Sequence, residues 1–262
     1  MMFNRLFNRL FTRLEARPDV STDQASPLSR RERTRAATID EIKQVATRLM
    51  REQGTTDLRF SDIAREMGMT APALYRYFGD RDELLTALIV DAYDELGGVV
   101  AQARDAVRPE DVWGRFYAVT QTYRSFARRD PVRFALILGM PVPGYAAPDD
   151  GPTTEAAIRA MGQLKALFFD AAERGVLGRP LLGDVPESIR LMCQQERVKH
   201  PGEPPMAPET FQAMLHCWAA LHGFTALETH GHLEWLTPEA RDDLFLANVR
   251  LAAMTAGLPS SG

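Results

Sequence analysis

Between Thr70 and Arg81 the sequence TAPALYRYFGDR sets a hydroxyl, two phenols and two guanidiniums (Thr70, Tyr75, Arg76, Tyr77, Arg81) behind and around three small residues, Ala71, Pro72 and Ala73. Such side chains donate hydrogen bonds and carry positive charge, which phosphate oxygens and base edges accept, and small residues let the backbone come close to a groove. The other groups able to do chemistry form no comparable set. His222, Glu228, His230, His232 and Glu234 are of zinc-ligating type. Two residues apart on a helix, however, His230 and His232 point to different faces, and Gly231 with His232 reads as a helix end. Cys193 and Cys217 have no metal-type spacing, and two cysteines build no disulfide framework. GxSxG, phosphate-loop, CxxC and dinucleotide fingerprints are all missing, so neither an enzyme nor a metal or cofactor site is expected.

Donors are useful only if an element holds them, and the local signals supply one. SRRE at residues 29–32 offers a capping box, apolar residues from Ile39 to Met50 recur at helical spacing, and Gly54 is a stop, which together predict a first helix. FSDIAREM (Phe60 to Met67) predicts a short second helix with Ile63, Ala64 and Met67 as its stripe and Gly68 ending it. Thr70 can cap a third, from Ala71 to Phe78, with Pro72 in its first turn and Leu74 and Phe78 on its buried face. Asp80 and Glu83, spaced as a capping box, open a long fourth helix through Leu84, Leu85, Leu88 and Ile89. The second helix, the turn Gly68-Met69-Thr70 and the third helix make a helix-turn-helix, whose second member would enter a major groove.

These residues also carry a resemblance. The run IAREMGMTAPALYRYFGDRDEL resembles the signature of the TetR/AcrR family of bacterial regulators, with Ile63, Ala64, Gly68, Thr70, Leu74, Tyr75, Tyr77, Phe78, Arg81 and Leu84 matching in order and spacing. It covers about residues 30–95. The resemblance implies a repressor that binds a partly palindromic operator in double-stranded DNA as a homodimer and is released by a small-molecule effector. It places Thr70, Tyr75, Tyr77 and Arg81 on the DNA backbone and Ala71, Pro72, Ala73 and Arg76 near the bases. Arg59 stands where the family usually opens the second helix with a small hydroxyl residue, which moves the cap to Ser61 or adds a phosphate contact; Arg59 and Ser61 therefore join the candidates. Arg81 replaces the commoner lysine and keeps its charge. Arg30, Arg31, Arg33 and Arg35 form either a basic arm for phosphates or a minor groove, or a solvated helix start.

A net charge of −4 over 262 residues argues against nucleic acid when averaged. The average conceals a gradient: residues 1–81 hold 15 Lys or Arg against 11 Asp or Glu, and residues 82–262 hold 16 against 24. Three parts follow: an N-terminal extension (1–28), a helix-turn-helix domain (29–81), and a ligand-binding and dimerisation domain (82–262). Within the first, FNRLFNRLFTRL (3–14) reads as an amphipathic helix and residues 17–28 as a linker. The longest apolar runs, such as Phe134 to Met140, fall short of the roughly 20 residues a bilayer demands, and no cleavable signal follows the start. A cytoplasmic protein without stable membrane association is expected.

Beyond residue 105 apolar residues recur at three and four and the breaks are proline-rich, so the fold class is all-α: a three-helix DNA-binding domain followed by a helical bundle. Helices are expected near 110–129, 132–139, 153–175, 208–230 and 239–256, with a short one near 187–197 inside an irregular connection at 178–207. WAALHG, with YRSFARRDPVRF and GMPVPGYAAP upstream, resembles the TetR C-terminal subgroup named for its Trp-His-Gly motif. That resemblance implies a dimer interface of four helices built from the last two of each chain, with Leu215, Trp218, Leu221, His222, Phe224, Leu227, Leu244, Phe245, Val249 and Leu251 as candidates; packing within the chain competes for the same residues. A ligand cavity would be apolar and aromatic with a few polar anchors. Its candidates are Trp113, Phe116, Tyr117, Tyr123, Phe126, Phe134, Phe168, Phe169, Met192 and His222, with Arg133 or Gln163 as further anchors. The alternative is a regulator whose C-terminal domain answers to a protein partner. A closed apolar cavity of about several hundred cubic ångströms would favour a small ligand and a filled core the protein.

Overall fold

A computed structural model describes residues 29–147, 151–199 and 206–260; the amphipathic and linker segments read at 3–14 and 17–28 lie outside them. The described residues form ten helices and no strand. In chain order they are α1 (Arg30–Gln53), α2 (Phe60–Glu66), α3 (Ala71–Leu74), α4 (Arg81–Asp105) and α5 (Val112–Arg129), then α6 (Pro131–Leu138), α7 (Pro152–Glu173), α8 (Glu187–Lys199), α9 (Pro208–Thr229) and α10 (Pro238–Ala256). The helices expected past residue 105 all form, with ends displaced by a few residues. The chain divides into two compact units.

The first unit contains the described residues up to Tyr93 together with Val132–Ala156. At its start Ser29 Oγ accepts from the Glu32 amide (3.2 Å) and Glu32 Oε2 accepts from the Ser29 amide (2.7 Å), the reciprocal box expected there. Ile42, Ala46 and Met50, one turn apart, are buried, and Gly54 ends the helix at φ 62°. α2 starts at Phe60, two residues before a Ser61 cap would allow. Arg59, extended at φ −116°, is the cap residue, and its carbonyl accepts from Asp62 (3.1 Å) without any side-chain cap. Phe60, the first residue of α2, is buried.

α3 is shorter than the expected Ala71–Phe78. Its α-helical residues end at Leu74, after which Arg76 bonds back to Ala73 (3.4 Å) and Tyr77 to Leu74 (2.9 Å), the tighter three-residue repeat. That tightening brings Phe78 into the core and the chain round to α4. Thr70 occupies the cap position, but its hydroxyl makes no capping bond. At α4 the Asp80 carboxylate accepts from the Glu83 amide (2.8 Å), while Glu83 reaches back one residue further than in a regular box, to the Gly79 amide (2.6 Å). Residues 132–156 are tied to this unit by the buried bond from Tyr93 Oη to the Ile137 carbonyl (2.7 Å) and by Thr86 Oγ1 with Tyr145 Oη (2.9 Å).

The second unit contains Asp94–Pro131 and the described residues from Ala157 onward. Phe116, Phe126, Phe168, Phe211 and Phe245 are buried in its core. α9 packs on α5, α8 and α10. A Cβ at Gly97 of α4 would stand 3.1 Å from Ala160 Cα of α7, so these two backbones meet at a glycine. Between α5 and α9 the Arg124 guanidinium, with 4% of its side chain exposed, donates twice to Glu228 (2.6 Å each), itself 4% exposed. A third arm reaches Asp242 of α10 at 2.8 Å, and the guanidinium carbon lies 4.5 Å from the Phe245 ring centroid. Two carboxylates and an aromatic face answer a cation that burial alone would make costly. The end of α10 is fixed by Gly178 donating to the Gly257 carbonyl (2.7 Å) and Leu181 to Thr255 (2.9 Å).

Candidate nucleic-acid interface and apolar cleft

In the first unit Arg59, Ser61, Thr70, Pro72, Tyr75 and Arg76 are exposed, and Ala71, Ala73, Tyr77 and Arg81 are half-buried. The Tyr75 ring rests on Phe60 (centroids 5.0 Å apart) and keeps 53% of its surface open. An aromatic residue held on one face and wet on the other is a rigid donor at low entropic cost. Arg35, near the start of α1, stacks over the Tyr77 ring (5.7 Å) and donates to the Arg76 carbonyl (3.4 Å). It braces the turn after α3, where three-residue bonds mix with a last four-residue bond from the Phe78 amide to the Leu74 carbonyl (3.2 Å). Its place in the basic run ahead of the first apolar stripe was the signal available for it.

Arg81 behaves differently from the role its motif position implies. Nε donates to the Leu58 carbonyl (3.0 Å), Nη2 to Asp57 (3.0 Å) and Nη1 to the Pro143 carbonyl (3.4 Å). The loop between α1 and α2 has carbonyls without helical partners, and a guanidinium with five donors serves several at once. Arg81 is a staple here, and the exposed side-chain donors are those of Arg59, Ser61, Thr70, Tyr75 and Arg76.

The second unit contains an apolar cleft of about 50 Å³. Leu96 and Val100 of α4, Val119, Thr120 and Tyr123 of α5, four residues of α7 including Met161 and Gln163, and Trp218 and Leu221 of α9 line it. Among the aromatic candidates only Tyr123 does so, and of the anchors Gln163, whose carbonyl oxygen takes a bond from Arg104 (2.8 Å). Phe116, Phe126, Phe134 and Phe168 are buried to 2% or less and belong to the cores. Trp113 and Tyr117 stack on each other (5.9 Å), Phe169 lies beneath the Lys165 ammonium (5.4 Å), and Met192 is half-buried on α8; none of them lines the cleft. His222 Nδ1 lies 2.8 Å from Tyr123 Oη, and its ring stacks on Trp218 (5.2 Å). Burial first, and the charge of His230 second, hold His222 below the usual imidazole range. Most of the cleft wall is aliphatic and small, types that carry no distinguishing mark in a sequence.

The dimer candidates divide as well. Leu221, Phe245 and Val249 are buried within the chain, and Trp218 and Leu221 line the cleft. Phe224 packs on Phe245 (5.4 Å), and Leu215 is half-buried. Leu227 (47% exposed), Leu244 (47%) and Leu251 (60%) remain open on α9 and α10, joined by Met254 (61%), which sequence reasoning passed over. The zinc-type residues do not converge either: Glu228 is bound by Arg124, His230 Nδ1 lies 2.7 Å from the Ala226 carbonyl, and the His230 and His232 rings are 6.5 Å apart. Both cysteines are free thiols, Cys217 pushed up to about 12 by burial and hence inert as a nucleophile.

A second cavity, of about 330 Å³, lies in the first unit and is polar. Asp40, Lys43, Gln44 and Arg51 of α1, Asp91 of α4 and Arg133 of α6 form its charged and amide wall. Arg133 was a candidate anchor for an apolar cavity, and the structure places it here instead.

Residues 42–88 match the family model described as bacterial regulatory proteins, tetR family, and residues 116–252 match the tetracyclin repressor-like C-terminal domain. The second match spans more than half the chain, and the chain therefore belongs to the TetR family of DNA-binding transcriptional regulators. The HTH-type transcriptional regulator Rv1816 of Mycobacterium tuberculosis is 34% identical over 195 residues, covering 72% of this chain and 80% of its own. Regulator Mb1846 of Mycobacterium bovis matches to the same extent. Among solved structures the regulatory protein SCO4313 superposes with a TM-score of 0.64 at 33% identity, over 86% of this chain and 98% of that one.

Proposed function

We propose that this regulator is a cytoplasmic homodimeric repressor that reads a partly palindromic operator and is released by a small molecule. Operator reading is assigned to residues 29–81, and dimerisation and sensing to 82–262. The observation that carries the first assignment is the exposed set of Arg59, which caps the first helix of a helix-turn-helix, and Thr70, Pro72, Tyr75 and Arg76, on and beside its second. A twofold dimer presents two such helices to successive major grooves. Mobility-shift titration against the DNA flanking its own gene, at two salt concentrations with unrelated DNA competing, should give a specific, salt-sensitive shift. Tyr75→Ala and Arg76→Ala should each weaken it by about tenfold or more at unchanged helicity; wild-type affinity in both would remove the interface from this helix. Apolar Leu227, Leu244, Leu251 and Met254 supply the face for the second copy, so Leu244→Glu with Leu251→Glu should give monomers in sedimentation equilibrium.

For sensing, the cleft around Tyr123, Gln163 and Trp218 is the supporting feature. At about 50 Å³ it has room for about four waters. An effector larger than that has to widen the cleft, whose α9 wall is Trp218 and Leu221. The small volume also favours the second reading, in which a protein partner controls this domain. An effector that raises Tm and releases DNA, both abolished by cleft-filling Ala160→Leu, supports the first; release by a partner protein that is indifferent to Ala160→Leu supports the second.

A further inference from the structure

We propose that Gly223, the glycine of the Trp-His-Gly motif, is the point at which a second copy of this chain closes on α9; the inference rests on the homodimer reading above and adds the contact that sets its geometry. Neither the buried core nor the cleft uses this residue. It stands inside α9, where glycine is among the poorest helix formers, and a Cβ there would meet nothing within 4 Å outside its own helix. No neighbour in the chain requires its smallness. Gly97 of α4 is the contrasting case, because there the Ala160 backbone of α7 leaves a Cβ only 3.1 Å.

The surface around Gly223 is apolar and open. Leu227, one turn further along α9, is exposed, and on α10 Leu244, Leu251 and Met254 are exposed at intervals of seven and three residues, which keeps them on one face. Asn248, between the first two, donates from Nδ2 to the Ala220 carbonyl of α9 (3.2 Å) in an exposed bond, so both faces border one seam at the same height. With 22 and 19 residues the two helices are about 33 and about 28 Å long, and each is about 10 Å wide. Their paired face is of the order of the about 800 Å² that each partner gives to a standard interface. A twofold axis along the pair sets α9 of one copy against α10 of the other, and does so twice. Leucines standing out on one helix then need a hollow on the helix opposite, and Gly223, level with Leu244 across the seam, provides it.

Sedimentation equilibrium of the full-length protein, without DNA or effector, tests this. Gly223→Leu adds helix propensity and a side chain for which the single chain has room. It should raise the dimer Kd about tenfold or more at unchanged far-ultraviolet helicity, because the leucine of the second copy then has no space. Gly98→Leu, at an exposed α4 glycine whose Cβ likewise meets nothing within 4 Å, should leave the Kd as in wild type. Adding Leu244→Ala to Gly223→Leu should recover part of the loss, since a side chain is removed opposite the one that was added. Gly223→Leu that dimerises like wild type overturns the inference alone, and so does a double variant weaker than Gly223→Leu. A wild-type monomer, or a dimer that survives Leu244→Glu with Leu251→Glu, removes the α9–α10 dimer itself and this contact with it, so the two failures are told apart.

Discussion

The two units solve the same problem, holding polar groups in place, in different ways. In the first, short caps (Ser29 with Glu32, Asp80 with Glu83, Glu83 with Gly79) stand beside longer links from side chains still partly in water, such as Arg81 to Leu58 and Pro143. In the second, the strongest polar contact joins residues 104 positions apart, Arg124 and Glu228, both out of water. A unit whose ion pairs keep contact with water depends little on any one of them, whereas a domain built around several long helices is registered by a few expensive pairs. Arg124→Ala tests this most severely. It strands the Glu228 carboxylate in the core and should cost about 3–5 kcal/mol in denaturant unfolding, because an uncompensated buried charge is left behind. The corresponding cut in the first unit, Arg48→Ala, removes a pair with Glu66 whose side chains are 49% and 41% exposed, and should cost less than about 1 kcal/mol. Equal losses would erase the contrast.

Glycines sharpen it. Gly68, at φ 63°, has nothing within 4 Å of where a Cβ would stand, so Gly68→Ala meets only left-handed backbone strain, about 1–2 kcal/mol. Gly257, at φ 80°, would put its Cβ 2.4 Å from the Gly178 carbonyl oxygen. Gly257→Ala should cost about 1–3 kcal/mol beyond the same strain, because the neighbour is backbone and cannot swing aside. Thermal melts of the two variants side by side decide it, and a Gly68 variant as unstable as the Gly257 variant would be the wrong result.

Within the first unit Arg81 and Arg76 should separate stability from recognition. Arg81→Ala frees the Leu58 carbonyl and Asp57 and should lose about 1–2 kcal/mol of stability. Arg76→Ala, exposed and making no side-chain bond among those described, should leave the melt unchanged and lose operator affinity. The signature counts Arg81 among its positions and passes over Arg76, yet Arg76 is the one exposed to solvent. Only the fold brings residues 57–58 and 143 to Arg81. The helix-turn-helix itself was legible because Gly68, Pro72 and the 80/83 pair act on neighbours. The true end of α3 was not, because burial of Phe78 decides it. In the second unit helix positions were legible from apolar spacing and proline breaks. Which aromatic lines a cleft was not: Phe116 and Tyr123 stand two helical turns apart on α5, and only the packing of α7 and α9 sends one to the core and the other to the cavity.

The smallest effect belongs to His222, and it is read by pH. Burial and His230 disfavour its charged form when folded, so the folded protein binds this proton less readily than the unfolded chain, whose imidazole titrates near 6.5. Stability from this group is therefore complete above pH 6.5 and drains away as pH falls toward the lowered folded value. Over the same range protonation of Nδ1 makes the ring the donor and Tyr123 Oη the acceptor in their 2.8 Å bond, which releases the phenol proton for another partner. Melts of wild type and His222→Gln between pH 7.5 and 5.5 should diverge on the acid side, the wild type losing Tm more steeply. Parallel curves would mean that the ring binds its proton equally well in the folded and unfolded chain.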